Sequence, residues 1–292
     1  MQRARILLVG KVGQVGWELR RILAPLCDLV CVDYPEIDLS QPDSIRRWTG
    51  DTAPQIIINA AAYTAVDKAE SEPERATSIN GRAPGILAEE AAKSRALLVH
   101  FSTDYVFDGT KTTPYLETDA PNPLSAYGRS KLAGDEAIRA AGCRHLIFRL
   151  CWVYGARGQN FMLTMMRLAR ERETLRVVSD QVGCPTWSRM IAQAVSYALQ
   201  QWLGTSDKDS LTGTYHLAAG GSTSWHGFAS AIIDSMPAGE RKCSRVEPIT
   251  TAEYPLPARR PAYSVLDCTR LEKTFGLRLP PWRESLDLVI EK

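Results

Sequence analysis

No apolar run in this chain is long enough to cross a bilayer, no stretch is strongly basic, and no cysteine stands in a zinc-binding or redox spacing. The opening "MQRARILLVG" passes from basic residues into a short apolar run ending at glycine, too short for a signal peptide or a span, so a cytoplasmic protein without a membrane partner is expected. Lys plus Arg number 35 against 33 Asp plus Glu, a net charge of +2 that leaves no electrostatic footprint for nucleic acid. The seven cysteines (27, 31, 143, 151, 184, 243 and 268) are odd in number and scattered, with no C-x-x-C, and read as reduced packing thiols. Repeats and low-complexity segments are missing too, and 45% hydrophobic with 23% charged residues is globular composition, which excludes disorder.

What is present is alternation. Apolar runs "RILLVG" (5–10), "LVCVD" (29–33), "QIIINAAA" (55–62), "ALLVHFST" (96–103) and "HLIFRL" (145–150) are separated by segments of helical apolar spacing. Parallel strands need crossovers and are buried on both faces, so this rhythm predicts an α/β, doubly wound parallel sheet. A dinucleotide-binding domain is expected over 1–155, with a further strand and helix from about 174–203. The remainder, 156–292, is expected to be mainly a smaller C-terminal lobe for substrate, interleaved with the first. The three prolines of "EYPLPARRPAY" (253–263) make that stretch a loop.

"GKVGQVG" follows the first strand and opens a helix, placing Gly10, Gly13 and Gly16 where a backbone must turn tightly and approach a pyrophosphate seated on a helix N-terminus. About 20 residues on, Asp33 ends the second strand, where a carboxylate accepts from an adenosine ribose. Lys11 inside the loop could meet a 2′-phosphate that Asp33 would repel, which leaves NADH and NADPH both open. "AYGRSKLAG" (126–134) sets Tyr127 and Lys131 four apart, on one helical face, where the ammonium can lower the phenol's pKa and make it a usable acid. Upstream, "STDYVF" supplies a hydroxyl at Thr103 or Ser102 at a strand end, completing a hydroxyl–tyrosine–lysine triad beside a nicotinamide.

These segments, with "INAAAYTAVDKAESEPE", "HLIFRLCWVYG", "QNFMLTMMRLA", "SDQVGCPT", "TYHLAAGGSTSWHGFA" and "YPLPARRPAYSVL", resemble the extended short-chain dehydrogenases/reductases that act on nucleotide sugars. Within them the chain is similar, nearly end to end, to the dTDP-4-dehydrorhamnose reductase family. The resemblance implies a Rossmann sheet and reduction of the 4-keto group of dTDP-6-deoxy-L-lyxo-4-hexulose to dTDP-L-rhamnose by NADPH or NADH. It implies Thr103, Tyr127 and Lys131 as catalytic residues. Gly10, Lys11, Gly13, Gln14, Val15, Gly16, Asp33, Asp38, Leu39, Ala60, Ala61 and Ala62 would join Tyr127 and Lys131 around the cofactor. Thr103, Asp104, Tyr105, Trp152, Asn160, Gln181 and Arg260 would face substrate. Trp152 could pack its ring on a sugar face or lie in the core, and Arg260 suits a pyrophosphate through its planar fork.

Other enzymes of the superfamily, 4,6-dehydratases and 4-epimerases, are disfavoured. The dehydratases pair Asp with Glu after the threonine, whereas Asp104 is followed here by Tyr105. A regulatory subunit resembling the β subunit of methionine adenosyltransferase is disfavoured by the intact triad. Some members of the family are dimers bridged by a divalent metal. Glu18 matches one ligand position, but Ser188, Arg189 and Gln193 stand where carboxylates would be needed. A metal-independent monomer or homodimer is therefore expected, with Arg189 free to pair with Glu18 of a neighbour.

Overall fold

Alternate residues of the apolar runs go to opposite faces of one sheet, and each face finds its own helices. A computed structural model describes residues 3–290; Met1 and Gln2, the start of the N-terminal segment read above, lie outside the described residues with Glu291 and Lys292. The strands are β1 (Arg5–Val9), β2 (Asp28–Val32), β3 (Ile56–Asn59), β4 (Leu97–Thr103), β5 (His145–Leu150) and β6 (Gly213–His216). They lie in the order β6-β5-β4-β3-β1-β2 with every pairing parallel.

Leu8, Ile56, Ile58, Val99 and Phe148 pack on one face against Leu19 of α1 (Gln14–Leu23) and Ile191 and Val195 of a long helix, Ser188–Gly204. Leu7, Val9, Ile57, Leu98 and Ile147 pack on the other, against α2 (Pro42–Thr52), α3 (Ala83–Ser94) and α4 (Ala126–Ala140) through Ile45, Leu87 and Ile138. Burial of each such side chain contributes about 1.5–3 kcal/mol, so the period of two along the strands fixes which helix covers which face.

With the Ser188–Gly204 helix numbered α6, the lobe is built on α5 (Phe161–Glu171) and α7 (Trp225–Asp234), with Tyr154, Met162, Trp187, Phe228 and Ile232 at its centre. One boundary differs from the sequence expectation. Thr174–Val178 does not extend the main sheet; it pairs with Arg245–Ile249 in a separate two-stranded ladder. Its residues alternate exposed and buried, which suits a half-covered ribbon, whereas a strand of the main sheet must be apolar on both sides. The sheet is completed instead by β6. The helix expected with that strand does belong to the first layer, since α6 packs on α1. The 253–263 stretch carries no helix or strand beyond Glu253, the end of a short 3-10 turn, and an isolated bridge at Tyr263. No helix among the described residues is long and apolar enough to cross a membrane.

Candidate active site

Between β1 and β3 the strand order reverses, since β2 lies outside β1 and β4 outside β3. In open α/β sheets the crevice at the carboxyl ends of such strands is where ligands bind. Gly10 follows β1 there with φ of 92°, and a Cβ on it would fall 2.5 Å from the backbone nitrogen of Ala61. Gly16, in the first turn of α1, touches the Gly10 carbonyl so closely that a Cβ would sit 1.9 Å from that oxygen. Gly13 differs: its Cβ would meet nothing nearer than 3.7 Å. It is the N-cap of α1, no side chain caps this end, and the first turn holds no acidic residue. Open backbone N–H groups with room in front of them fit a pyrophosphate.

Around this loop, the Asp33 carboxylate accepts from the backbone N–H of Val12 and of Tyr34, both at 2.9 Å. Lys11 does not stand free: its ammonium pairs with Glu36 and reaches the Cys31 carbonyl. Ala60 and Ala61 bring the β3 loop against Gly10, with Ala62 next in the same loop. Asp38 accepts from the backbone and hydroxyl of Ser40, while the Leu39 side chain is buried in the core beside Val9 and Val32. Their side chains serve the loop and the core. Val15 is buried and packs in the core, whereas Gln14 bonds Asn160.

The catalytic candidates stand at the ends of β4 and the start of α4. Ser125 caps α4 by accepting from Gly128, and Glu70 accepts from the Ala126 N–H at 2.7 Å, so two side chains hold the turn that carries Tyr127. A Cβ at Gly128 would lie 2.3 Å from the Tyr105 carbonyl, so only glycine lets the helix approach the Asp104–Val106 turn this closely. Thr103 rather than Ser102 is the hydroxyl in place. It donates to Asp104 at 3.0 Å, accepts from the Tyr105 N–H at 3.2 Å and faces the Tyr127 phenol. The Ser102 hydroxyl is buried without a protein partner.

Lys131 is 1% exposed and donates to the Phe101 carbonyl at 2.6 Å. Burial pulls its pKa down to about 8, opposed by the charge of Asp135. Tyr127 corrects the expectation of a lowered phenol: burial pushes it up to about 12, with the Thr103 hydroxyl pulling the other way. The reason is that Lys131 is anchored to the β4 backbone, and desolvation of the phenol outweighs it. Asp104, fully buried with donors from Thr103 and Cys151, is raised by burial to about 6.

The residues expected to face substrate are already engaged. Trp152, with φ of 43°, stacks on Trp225 at 3.5 Å and 5° between rings and crowds Gly183, where a Cβ would lie 2.4 Å from it. It is 9% exposed, so of its two readings the packed core tryptophan is the one found, and Trp225 is the ring nearer the surface. Asn160 caps α5 and donates to Gln14 and the Gly155 carbonyl. Gln181 donates to Thr251 and accepts from the Trp225 indole. Arg260 forks onto Asp67 at 2.8 and 3.1 Å and bonds Tyr105, whose ring meets that of Tyr127 edge-on at 5.9 Å. Sequence reasoning missed Glu36, Asp67, Glu70, Cys151 and Trp225. Each acts through a partner remote in sequence, so no local signal marked it.

Glu18 and Arg189 pair within the chain at 3.2 Å, not across to a neighbour, because α1 and α6 lie side by side. Among the described residues no group of three or more His, Cys, Asp or Glu side chains is placed to hold a metal ion. Two surface hollows of about 460 and 370 Å³ lie away from the site: one beside Arg139, Arg149 and Arg270, the other at the amino ends of β3 to β5.

Doubly wound sheets that carry a Tyr-x-x-x-Lys helix beside the dinucleotide crevice are the short-chain dehydrogenases/reductases, and that is the class of this oxidoreductase. The likeness then narrows. The family described as RmlD substrate binding domain matches residues 4–292, and the chain belongs to it, among the dTDP-4-dehydrorhamnose reductases. The chain is similar to the dTDP-4-dehydrorhamnose reductase of Burkholderia thailandensis, 48% identical over 98% of both chains. Among solved structures it is similar to the enzyme of that name from Clostridium acetobutylicum, at 37% identity, TM-score 0.90 and 98% coverage of both chains. It also matches that of Bacillus anthracis in complex with NADP, at 34% identity, TM-score 0.91 and 99% coverage of both.

Proposed function

We propose that the chain reduces the 4-keto group of dTDP-6-deoxy-L-lyxo-4-hexulose to give dTDP-L-rhamnose, with Tyr127 as the acid. The observation that carries it is the meeting of Thr103, Tyr127 and Lys131 at the carboxyl end of β4, beside the crevice where Gly13 leaves the α1 N-terminus open. Full-length similarity to reductases of that name supports the substrate. When bound, NADPH or NADH supplies the hydride. Hydride arrival at C4 builds negative charge on the carbonyl oxygen, and the Tyr127 phenol gives that oxygen its proton. A phenol raised to about 12 is fully protonated at neutral pH and so is loaded as an acid. Lys131, a buried cation fixed to the β4 backbone, stabilises the phenolate left behind and holds the cofactor ribose. Thr103 can turn its hydrogen from Asp104 toward an incoming carbonyl oxygen and orient it.

Asp104, Tyr105, Asn160, Gln181 and Arg260 form the substrate side in this reading, with Trp152 packed behind them and the Arg260 fork able to exchange Asp67 for a diphosphate. The seven free thiols suit the cytoplasm, and a monomer or homodimer with no nucleic-acid partner completes the picture. The test is loss of reduced-cofactor absorbance on adding the keto sugar nucleotide. Tyr127→Phe is expected to bind cofactor and substrate as the parent does and to turn over roughly 100-fold more slowly or worse. Full turnover in that variant would remove the tyrosine from the reaction.

A further inference from the structure

Lys131 is held by a second group besides the Phe101 carbonyl. Its Nζ lies 3.2 Å from Nε2 of His100, a residue of β4 with no exposed surface. Across the ring, Nδ1 of His100 is 3.2 Å from Nδ2 of Asn59 on β3, itself 1% exposed. Burial, reinforced by the Lys131 charge, pushes His100 well below the ordinary histidine value, so the ring is neutral. A neutral imidazole offers one bare nitrogen and one N–H. An ammonium can face only the bare nitrogen, so Nε2 accepts and the hydrogen sits on Nδ1. Nδ1–H in turn needs an acceptor, which Asn59 supplies when its amide presents oxygen to the ring; the two ends of an amide are alike in shape. That orientation turns the Asn59 amide over, exchanging Nδ2 for Oδ1 at the ring and giving up the 3.3 Å hydrogen bond that Oδ1 accepts from the Ala61 N–H.

We propose that His100 is a positioning residue for the reduction: its Nε2 accepts a hydrogen bond from Lys131 and fixes the ammonium beneath Tyr127, while Asn59 holds the ring in the tautomer this requires. The proposal rests on the roles given above to Tyr127 and Lys131. The acceptor matters because the ammonium is buried and one of its three hydrogens would otherwise lack a partner. The other charged or titratable groups that bear on it are Asp135 on α4, which favours the charged form, and Tyr127, with Asp104 on the far side of that phenol. Removing the acceptor therefore destabilises the ammonium, and Lys131 gives up its proton at lower pH. Activity that needs the charged lysine falls as pH rises through that point.

The experiment uses the purified full chain with His100→Leu, His100→Gln and Lys131→Met beside the parent. In the parent, kcat is expected to fall on the alkaline side near pH 8. His100→Leu should lower kcat at neutral pH by about tenfold or more and move that fall down by about one pH unit, with KM for the sugar nucleotide held within about twofold. His100→Gln, whose Oε1 can accept in place of Nε2, should recover both properties. An unmoved alkaline fall in His100→Leu, or Leu and Gln variants that behave alike, beside an inactive Lys131→Met, would overturn the role of His100 alone. Full turnover in Lys131→Met would overturn the reading of the lysine itself. Nitrogen-15 NMR of the parent's ring is independent of activity and of variant folding. It should find the hydrogen on Nδ1 at neutral pH, and a hydrogen on Nε2 would overturn the proposal.

Discussion

Glu36 changes what Lys11 can do. As a bare cation in the glycine loop, Lys11 would favour the 2′-phosphate of NADPH; paired with Glu36, beside the Asp33 carboxylate, it offers that phosphate less. Both cofactors are therefore expected to support turnover. Glu36→Ala should free the ammonium and raise kcat/KM for NADPH relative to NADH by about fivefold, the scale of an exposed pair, and more at low salt. Steady-state rates with each cofactor check this, and a ratio that stays put would mean the ammonium lies out of reach of the ribose. Lys11 and Asp33 were legible in the sequence because strand–turn–helix grammar puts them at the crevice. Glu36 was not, because its partnership is made by how the loop after β2 folds back, which no spacing rule encodes.

Among the elements, the glycine loop divides into two kinds of glycine that look alike in the sequence. Gly10 and Gly16 are required by the protein's own backbone, whereas Gly13 faces open space at the α1 N-terminus. Gly16→Ala should misfold or lower the melting temperature by several degrees, since a Cβ cannot share the place of the Gly10 oxygen. Gly13→Ala should leave the melting temperature within about 2 °C of the parent and weaken cofactor binding by about tenfold. Thermal unfolding and cofactor titration on the same samples separate the cases, and equal loss of stability in both would contradict the distinction. Helix α4 was readable as a helix with Tyr127 and Lys131 on one face. Its placement was not, since Glu70, the Tyr105 carbonyl against Gly128 and the Asn80–Ser130 hydrogen bond at 3.0 Å fix it from segments outside the helix.

For the whole molecule, the Glu18–Arg189 pair bears on assembly. The arginine satisfies Glu18 within one chain and puts a positive charge where a bridging cation would have to sit. EDTA is expected to change neither the sedimentation coefficient nor turnover of the chain as purified. Dissociation of a dimer or loss of rate on chelation would show that the pair opens to admit a metal. The alternation of strands and helices, the crevice-forming glycines and the Tyr-x-x-x-Lys face were determined by the sequence alone, because each depends on residues within a turn or two of one another. Tertiary structure alone decided which hydroxyl meets Tyr127, where Trp152 lies, which sheet takes Thr174–Val178, and how far burial moves Tyr127 and Lys131. Those outcomes depend on desolvation and on partners brought together across the fold, and neither is a property of any short stretch of chain.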